Sequence, residues 1–597
     1  MFRRQQILAT AIGGLAAGAL IVAPADAAPQ APPKDPVAIG RGGAVSSVDP
    51  YATEIGLDVL RRGGNAVDAA VATAAALGVT EPYSAGIGGG GFFVYYDART
   101  GRIHTIDGRE TAPADMGQNA FVDVETGLPI PFAEAVTSGL SVGVPGTPAT
   151  WELALDRWGS IDLQDALRPA ARLANRGFVV DATFRQQTAD NAARFADFTS
   201  TRELYLPGGA PPEVGSVLRN TDLAQTYDLL GRRGTEVLYE GHLAEEIVAT
   251  VMQPPVVPGS TRVVRPGLMR LPDLAAYDAL LRDPTLIDYR GLTVAGMAPP
   301  SSGGSTVGEA LNILENSNLG ALDRAEALHR YLEASALAFA DRNRYVGDPD
   351  FVDVPLEELL SQEFADERAC QIGPTAATKP VPPGAPDGSY APCAPASAGS
   401  GGSAEGTSTT HLTTWDRHGN VVVYTLTIEQ TGGAGIVVPE RGFLLNNELT
   451  DFNFTPTQGT APDPNLPAPG KRPRSSMSPT IVLDDGRPVL AVGSPGGSMI
   501  ITTVLQTLLN RLDFGYSLPD ALAAPRASQR NTASVSAEPA FIAAWAPALE
   551  ARSHTFTSVA EIGAVTAIER RQGGLLVAAA EPVRRGGGDA GVVQPQE

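Results

Sequence analysis

The sequence feature that most constrains the fold is the run that begins at Thr409, "TTHLTTWDRHGNVVVYTLT". Two stretches rich in β-branched and aromatic residues flank a short polar loop, which is typical of a β-hairpin. Gly419 suits the left-handed position of a three-residue loop, and such a loop pairs Asp416 with Asn420. Counting back along both strands places Thr409 opposite Thr427, within side-chain reach. An ordinary cross-strand threonine pair would also explain this arrangement.

The hairpin follows directly on a segment that is expected to lack structure. Residues 371–408 are rich in Pro, Gly, Ala and Ser, and such a composition buries too little apolar surface to offset its ordering entropy. We therefore expect a flexible tail over 371–408. A threonine hydroxyl is a weak nucleophile, which a free α-amine on the same residue can activate. A cut between Ser408 and Thr409 would create that amine, which raises the hypothesis of a catalytic N-terminal threonine.

Length and composition indicate a large globular protein. Of the 597 residues, 43% are hydrophobic and 18% are charged. The formal charge of −22 argues against nucleic acid as a partner, because phosphates would be repelled. Strand patterns occur in both halves with helical patterns around them, which predicts an α+β fold of stacked sheets covered by helices.

Local patterns predict the individual elements. A Pro-rich leader covers 28–38, and order is expected from about Ala44. Asp49-Pro50 is a typical helix start, with an N-cap followed by Pro at the first helical position. Residues 145–260 are predicted to be mainly helical. Further helices are predicted at "ALHRYLEASALAFADRNRYVG" and "SMIITTVLQTLLNRL", and strands at "GFFVYYD", "GRIHTIDGRE", "GFLLNN", "TIVLDD" and "PVLAVG".

The glycine run "GIGGGG" at 86–91 matches a dinucleotide-binding fingerprint by its letters alone. That fingerprint needs a helix start after it, whereas the strand pattern "FFVYY" follows here. We therefore predict that these glycines serve a tight turn or a close approach of two backbones. No cofactor is expected.

The N-terminus predicts a signal peptide over residues 1–27. Arg3-Arg4 precede a short apolar run, and Ala25-Asp26-Ala27 fits the small-x-small cleavage pattern. The alternative is a retained anchor, but the run is short and weakly hydrophobic, so no stable membrane anchor is expected. The mature protein is therefore expected to be secreted or periplasmic.

The two cysteines, Cys370 and Cys393, flank the low-complexity stretch. Export would place them in an oxidising compartment, so we expect one disulfide between them, with two free thiols as the alternative. The six histidines are scattered and offer no spacing typical of metal ligands, so no metal centre is expected.

A family resemblance gives these patterns a common explanation. The chain resembles the gamma-glutamyltransferase family of the N-terminal-nucleophile hydrolases over nearly its whole mature length. The motifs that carry the resemblance are "SVDPYATEIGLDVLRRGGNAVDAAVA", "GIGGGGFF", "DGRETAP", "APPSSGG", "DRNRYVGDPDF", "TSTTHL", "TIEQTGGAGI", "LLNNELTDF", "KRPRSSMSPT" and "GSPGGSMIITT".

The resemblance implies a precursor that cleaves itself between Ser408 and Thr409. The products would be a large subunit over 28–408 and a small catalytic subunit over 409–597, which form a heterodimer and jointly build a four-layer αββα sandwich. Thr409 would be the nucleophile, with Thr427 positioning it. Gly496 and Gly497 would donate backbone N–H groups to the oxyanion.

The resemblance also implies a binding site for a γ-glutamyl group, whose amino-acid head carries both charges. Arg109 would hold the α-carboxylate, for which a forked guanidinium is well suited. Ser475 and Ser476 would add hydrogen bonds to the same carboxylate. The acidic residues expected around the α-ammonium are Glu429, Glu448 and Asp451. A solvated or ion-paired surface role is the alternative for each charged residue.

The implied activity is cleavage of the γ-glutamyl amide of glutathione and related compounds through an ester on Thr409. Water or an acceptor amino acid or peptide would resolve the ester. Two departures from the family pattern bear on this activity. Position 429 is Glu where proteobacterial members have Asn. The segment 453–470, in which some members carry an aromatic residue that covers the site, is Pro-rich here, and Phe454 is its only aromatic residue. The alternatives are a glutaryl (cephalosporin) acylase of the same family and an uncleaved γ-glutamyl-peptide binding protein.

Overall fold

The computed structural model describes residues 30–390 and 408–596. The predicted signal peptide over 1–27 and the cysteine at position 393 lie outside these residues. Cys370 ends a helix as its C-cap, and the predicted disulfide stays a prediction. Within the described part of the chain, no helix combines the length and the apolar character needed to cross a membrane.

The strands, numbered in chain order, form one large sheet and two small ones. They are β1 (Val37–Ser47), β2 (Gly90–Asp97), β3 (Arg102–Gly108), β4 (Phe178–Val179), β5 (Val217–Leu218), β6 (Leu280–Arg282), β7 (Thr285–Tyr289), β8 (Leu292–Gly296), β9 (Thr410–Asp416), β10 (Val421–Thr427), β11 (Thr480–Asp484), β12 (Arg487–Gly493), β13 (Ala527–Ser528), β14 (Val535–Ala537), β15 (Phe556–Ser558), β16 (Thr566–Arg571), β17 (Leu575–Ala580) and β18 (Asp589–Pro595).

The helices are concentrated between β3 and β6 and between β8 and β9. They are α1 (Pro50–Arg61), α2 (Ala66–Thr80), α3 (Phe132–Val136), α4 (Thr147–Trp158), α5 (Leu163–Arg176), α6 (Ala182–Phe195), α7 (Thr199–Tyr205), α8 (Thr221–Arg233), α9 (Glu236–Tyr239), α10 (His242–Met252), α11 (Leu271–Ala275), α12 (Gly303–Glu315), α13 (Arg324–Tyr345), α14 (Leu356–Leu359), α15 (Gln362–Ala369), α16 (Met499–Leu512), α17 (Leu518–Ala523) and α18 (Pro539–Glu550).

The large sheet mixes strands from both ends of the chain. Its order is β6-β3-β2-β10-β9-β1-β17-β16-β12-β11-β8-β7, and β18 also pairs with β1. Strand β1 pairs with β17 through its first residues and with β9 through its last ones. Strands that precede position 408 therefore alternate in blocks with strands that follow it.

Alternate residues of β2 face two different hydrophobic cores. Phe93 and Tyr95 pack in a core with helices α2, α4 and α5. Phe92 and Val94 pack in a second core that includes Ile481 of β11 and extends to α12, α13 and α16. Strand β10 lies against β12, and β9 lies against β16, so two halves of the sheet face each other with helices outside. The mixed helix-and-sheet architecture agrees with the predicted α+β class.

The hairpin at β9 and β10 has the predicted register. Thr414 pairs with Val422 and Leu412 with Tyr424. The turn closes between Asp416 and Asn420, with Gly419 at a φ of +91°. The three-residue loop therefore fixes the pairing of two completely buried strands. The predicted start of helix α1 is also confirmed, because the Asp49 side chain accepts from the Ala52 N–H at 3.0 Å.

Three expectations differ from the structure. Order begins well before Ala44, since β1 starts at Val37 and lies in the middle of the large sheet. The segment "GFLLNN" is not a strand, and makes only an isolated bridge between Val437 and Leu444. Its two asparagines bond to other segments through their side chains instead, as described below.

The third difference concerns the tail expected over 371–408. Its first half, residues 371–390, contacts the body of the protein. The N–H of Ala376 donates to the Arg552 carbonyl at 2.7 Å, and Val381 is buried and exchanges two hydrogen bonds with Asn531. Backbone and side-chain groups of other segments thus hold a stretch whose own composition is poor in large apolar residues.

The buried carboxyl of Asp589 predicts a pH-dependent stability. Burial raises the pKa of Asp589 to about 6, above its ordinary value of about 3.9. The folded state therefore holds the proton more tightly, and stability is lost as the pH rises between about 4 and 6. An Asp589→Asn variant should be more stable than the parent by roughly 2 kcal/mol at pH 7 and nearly equal at pH 4. Melting temperatures at both pH values measure this. Exposed Asp283→Asn is the control, and an equal gain at both pH values would contradict the prediction.

Candidate active site

Thr409 lies immediately before β9 and is buried. Its Oγ1 lies 2.5 Å from the carbonyl oxygen of Ser408, the residue to which it is still bonded. The same Oγ1 lies 3.4 Å from Oγ1 of Thr427, as the hairpin register predicts. The hydroxyl is therefore directed at its own preceding peptide group.

Thr427 connects the two reacting groups. Its hydroxyl donates to the Ser408 carbonyl at 3.1 Å and accepts the backbone N–H of Glu429 at 2.9 Å. Because that N–H fixes one lone pair, the hydroxyl hydrogen is free to point at the Ser408 carbonyl. Thr427 can polarise this carbonyl while it contacts the Thr409 hydroxyl. An ordinary cross-strand threonine pair would not make these contacts to the Ser408 carbonyl and the Glu429 N–H.

The glycine run supports this arrangement by close backbone approach. A Cβ on Gly89 would lie 2.0 Å from the Thr427 carbonyl oxygen, and a Cβ on Gly88 would lie 2.0 Å from the Leu444 carbonyl oxygen. The predicted close approach of two backbones is therefore confirmed. The side chain of Asn446 fixes the same contact, since its Nδ2 donates to Gly88 at 2.7 Å and to Gly143 at 2.9 Å.

Arg109 occupies the pocket below the hydroxyl and is almost completely buried. Its Nη1 pairs with Glu448 and its Nη2 with Asp451. Its Nε donates to the Pro473 carbonyl at 3.1 Å, so the guanidinium plane is fixed on two sides. The family resemblance implies that Arg109 binds the α-carboxylate of a ligand and that Glu448 and Asp451 bind its α-ammonium. In the structure these residues neutralise each other as ion pairs, because a buried charge without a partner is costly.

Burial acts on the acids of this pocket more strongly than the single arginine does. Desolvation raises the pKa of Glu429 well above its ordinary value, with further increases from Asp451 and Glu448. Desolvation also raises the pKa of Glu448, against the lowering effect of Arg109. Glu110 behaves in the same way, because burial and the neighbouring Glu448 raise its pKa well above the ordinary range. The pocket therefore favours a cationic ligand group, which would restore these carboxylates to their charged form.

The motif "LLNNELTDF" positions the acids. A 3-10 helix over Glu448–Asp451 presents both of its acidic residues to Arg109. Asn447 bonds to the Glu429 carboxylate through Nδ2 and accepts the Gln430 N–H at 3.0 Å through Oδ1. Asn447 therefore connects Glu429 to the 3-10 helix that carries Glu448 and Asp451.

Ser475 and Ser476 are buried and held by a second motif. The N–H and the hydroxyl of Ser302, in "APPSSGG", both donate to the Ser475 carbonyl, at 2.8 and 2.6 Å. Arg342 of α13 donates to the hydroxyls of Ser302 at 2.8 Å and Ser476 at 2.7 Å. Ser302 and Arg342 therefore fix the positions of Ser475 and Ser476.

Gly496 and Gly497 form the turn that leads into helix α16. Their φ values are +134° and +57°, which L side chains rarely adopt. Their carbonyls accept the N–H groups of Met499 and Ile500, which orients the turn against the start of the helix. Backbone N–H groups at such a position are suited to stabilise a developing negative charge.

One narrow pocket collects nearly all the predicted residues. Of the eleven residues predicted for catalysis, substrate binding or cleavage, ten line it, and Gly496 is the exception. The lining is formed by Arg109, Ser408, Thr409, Thr427, Glu429, Glu448, Asp451, Ser475, Ser476, Met477, Gly497 and Ile500.

The segment 453–470 does not place an aromatic ring over this pocket. Phe454 stacks on Phe121 at a ring distance of 4.3 Å, in a separate small core. Asn465 anchors the segment from below, since its Nδ2 donates to the Asp451 carbonyl at 2.6 Å. The Pro-rich segment thus supports Asp451 rather than covering the pocket.

Sequence reasoning missed an arginine beside the nucleophile. Arg585 donates to the Thr409 carbonyl at 2.6 Å and to the Ser84 hydroxyl at 2.7 Å. Ser84 in turn lies 3.0 Å from the Ser408 hydroxyl. These residues come from three distant parts of the chain, and the only sequence feature at Arg585 is an unremarkable "RRGGG" turn.

Similarity to known proteins extends over most of the chain. The family model for gamma-glutamyltranspeptidase matches residues 52–591. A glutathione hydrolase proenzyme of Bacillus subtilis (strain 168) is 41% identical over 541 residues, which cover 89% of this chain and 88% of that protein. One from Escherichia coli (strain K12) is 39% identical, covering 86% of this chain and 87% of that protein. The crystal structure of a cephalosporin acylase from Bacillus halodurans has a TM-score of 0.80 at 30% identity, covering 94% of this chain and 98% of that chain. This chain therefore belongs to the gamma-glutamyltranspeptidase family.

Proposed function

We propose that this protein is a gamma-glutamyltransferase and glutathione hydrolase that activates itself by cutting its own chain between Ser408 and Thr409. The observation that carries the proposal is the pocket that joins the Thr409 hydroxyl to the buried group of Arg109, Glu448 and Asp451. A nucleophile beside a fixed cation and two fixed anions suits a zwitterionic amino-acid head with a bond to be cut nearby.

The first reaction is the cleavage of the precursor. Thr409 Oγ1 attacks the Ser408 carbonyl carbon, and the hydroxyl of Thr427 stabilises the oxygen of that carbonyl. The bond from Ser408 to the Thr409 nitrogen breaks as an ester to Oγ1 forms, and the hydroxyl proton ends on the nitrogen. Water then hydrolyses the ester, which leaves a Ser408 carboxylate, a free Thr409 amine and the restored hydroxyl.

The second reaction uses the new terminus. Thr409 Oγ1 attacks the γ-amide of glutathione, and the α-amine accepts the hydroxyl proton. Gly496 and Gly497 donate N–H groups to the tetrahedral oxyanion, and each such donor typically lowers the barrier by roughly 3 kcal/mol. The proton passes to the leaving cysteinylglycine amine. The γ-glutamyl ester on Thr409 is then resolved by water or by the amine of an acceptor amino acid or peptide.

Substrate recognition follows from the charges in the pocket. The α-carboxylate takes the guanidinium of Arg109 and the hydroxyls of Ser475 and Ser476. The α-ammonium takes Asp451, Glu448 and Glu429, and its charge lowers the raised pKa values of the two glutamates. Binding thus inserts one cation and one anion into an existing ion-pair group, so that no buried charge is left unpaired.

The open side of the pocket bears on the fate of the ester. Since Phe454 stacks on Phe121, the segment 453–470 offers no aromatic cover. This segment therefore does not screen the ester on Thr409 from water or from bulky leaving groups. We therefore propose that hydrolysis competes effectively with transfer to acceptors.

The remaining parts of the proposal concern assembly. Residues 28–408 form the large subunit and residues 409–597 the small one, and together they build the four-layer αββα sandwich as a heterodimer. The facing sheet halves and their outer helices support this assignment. Residues 1–27 would direct export and then be removed, and outside the cytoplasm the Cys370–Cys393 disulfide would close the low-complexity stretch.

A comparison of two chromogenic substrates tests the substrate class. We expect kcat/KM for a γ-glutamyl anilide to exceed that for the glutaryl anilide, which lacks the α-amine, by at least about 100-fold. The glutaryl group brings a carboxylate but no ammonium, so it adds a negative charge beside Asp451 and Glu448 without a compensating positive one. An Asp451→Asn variant should narrow the ratio, whereas the exposed Asp283→Asn should leave it unchanged.

The competing function is a glutaryl (cephalosporin) acylase, and the similarity to the Bacillus halodurans cephalosporin acylase structure supports this alternative. Higher kcat/KM for the glutaryl anilide would favour that acylase over the proposed function. An uncleaved chain that binds glutathione without turnover would instead indicate a binding protein.

A further inference from the structure

A second cluster of chemically reactive side chains lies outside the pocket. His329, Glu333 and His554 are all buried, and one potential ligand atom from each lies within 4.8 Å of the others. His329 and Glu333 are one turn apart on α13, and His554 follows α18. The proposed mechanism uses none of these residues.

The hydrogen bonds of His329 show which of its two ring nitrogens carries the hydrogen and which carries the lone pair. Nε2 of His329 lies 2.8 Å from the Gly373 carbonyl oxygen, which only accepts, so Nε2 carries a hydrogen. In the neutral ring, Nδ1 then has the lone pair and accepts from Nε2 of His554 at 2.8 Å. A histidine whose other nitrogen donates to a backbone carbonyl has the orientation typical of a metal ligand.

Glu333 already holds a cation. The Lys379 ammonium lies 2.8 and 3.0 Å from its two oxygens, and the Ala377 N–H donates to the same carboxylate at 3.0 Å. Lys379 and Ala377 belong to the segment 371–390 that contacts the body of the protein. The cluster therefore consists of two imidazoles and one carboxylate, and the Lys379 ammonium supplies the positive charge that the carboxylate would otherwise take from a metal ion.

We propose that His329, Glu333 and His554 form a binding site for Zn²⁺, with the Lys379 ammonium displaced from Glu333 when the ion binds. Two histidine nitrogens and one carboxylate oxygen form a ligand set that zinc commonly takes, with water in the fourth position. Bonds of about 2.1 Å in a tetrahedron separate the ligand atoms by roughly 3.4 Å, so the side chains need shifts of only about 1 Å.

Binding would change the tautomer of one histidine. Nε2 of His554 gives up its hydrogen to face the ion, and the ring takes its hydrogen on Nδ1 instead. His329 keeps the hydrogen bond from Nε2 to Gly373 and offers Nδ1. Lys379 keeps its charge and moves to solvent, which exchanges a monovalent cation for a divalent one at the carboxylate.

The position of the site indicates a structural role. Two of its ligands lie on α13, which precedes the proposed cut in the sequence. The third lies in the segment after α18, which follows the cut. His329 and Glu333 precede Arg342 on the same helix by about three turns, so the ion would lie roughly 15–20 Å along the axis from the contact to Ser476. We expect zinc to link helix α13 to the segment after α18, and so to tie the two proposed subunits together, without entering the reaction. This inference does not depend on the proposed function.

Zinc titration of the purified, chelator-treated protein tests the site. Isothermal titration calorimetry with ZnCl2 should show one ion bound per chain, together with a rise in the melting temperature. Glu333→Gln and His554→Gln should each weaken binding by at least about 100-fold. Lys379→Met removes the competing ammonium and should strengthen binding by at least about tenfold. Exposed His418→Ala is the matched control and should bind as the parent does.

The outcomes separate a built site from nonspecific histidine binding. Failure of the parent to bind zinc would overturn the proposal. Binding by Glu333→Gln and His554→Gln as tight as that of the parent would place the ion elsewhere. Should these variants fold poorly, an affinity unchanged in Lys379→Met would still count against the site. Hydrolysis of a γ-glutamyl anilide should stay within about twofold with and without zinc, as expected for an ion about three helical turns from the pocket.

Discussion

A Thr409→Ala variant is expected to remain one uncut chain and to lose at least about 10⁴-fold of its activity on γ-glutamyl substrates. The variant lacks the hydroxyl oxygen that lies 2.5 Å from the Ser408 carbonyl oxygen and that forms the ester in the proposed mechanism. Without the ester the peptide bond stays intact, and no free α-amine arises at position 409. A denaturing gel, mass spectrometry of the purified protein and rates on a γ-glutamyl anilide measure the three consequences.

The neighbouring threonine provides the matched control. Thr410 has a buried hydroxyl without a hydrogen-bond partner, so Thr410→Val removes an equivalent group at little cost. This variant should cut itself and retain activity, whereas Thr409→Ser should cut more slowly but completely. Two bands from Thr409→Ala would refute the assigned nucleophile. A single band from the parent would instead support the uncleaved binding protein.

An Arg109→Gln variant is expected to lose about 10²- to 10³-fold in kcat/KM, mainly through a higher KM. The substitution removes the cation that pairs with Glu448 and Asp451, and losing one partner of a buried ion pair costs about 3–5 kcal/mol. The pKa of Glu448 should rise further, because Arg109 is the main group that lowers it. Because Glu448 would then ionise at a higher pH, the pH profile of kcat/KM should shift toward higher pH.

A second buried arginine separates recognition from general destabilisation. Arg472 pairs with Asp107 at 2.6 Å and does not line the pocket. Arg472→Gln should lower the melting temperature as Arg109→Gln does, but should leave KM nearly unchanged. Arg109→Lys keeps the charge without the fork and should recover only part of the affinity. Equal KM values for the two glutamine variants would argue against carboxylate binding by Arg109.

Local sequence rules determined the hairpin because its register depends on adjacent residues. A three-residue loop with Gly419 fixes every pair back to Thr409 and Thr427, and no distant contact can shift them by one residue without exposing a buried face. The Asp49 cap and the glycine run are local in the same sense. The positions of Arg109, Glu448 and Ser475 around the hairpin came from the family resemblance, since nothing in their spacing brings them together.

The parts that were missed depend on distant partners. Strand β1 has a pattern that includes several glycines, and only its neighbours β9, β17 and β18 make it a strand. "GFLLNN" has the apolar residues of a strand, but Asn446 and Asn447 bond sideways to Gly88 and Glu429. The zinc cluster shows the same limit, because His329 and Glu333 are visible one helical turn apart but His554 is not.

The interleaved sheet has a consequence for the lifetime of the enzyme. Strands from the two sides of the proposed cut share hydrogen-bond ladders at β2–β10, β9–β1, β1–β17 and β11–β8. Two fragments joined in this way cannot dissociate while they stay folded. Once unfolded, however, they would have to find each other again as separate molecules, at a concentration far below that within one chain. Self-cleavage would therefore make unfolding a one-way event, so that the durability of the mature enzyme is governed by how slowly it unfolds and not by an equilibrium.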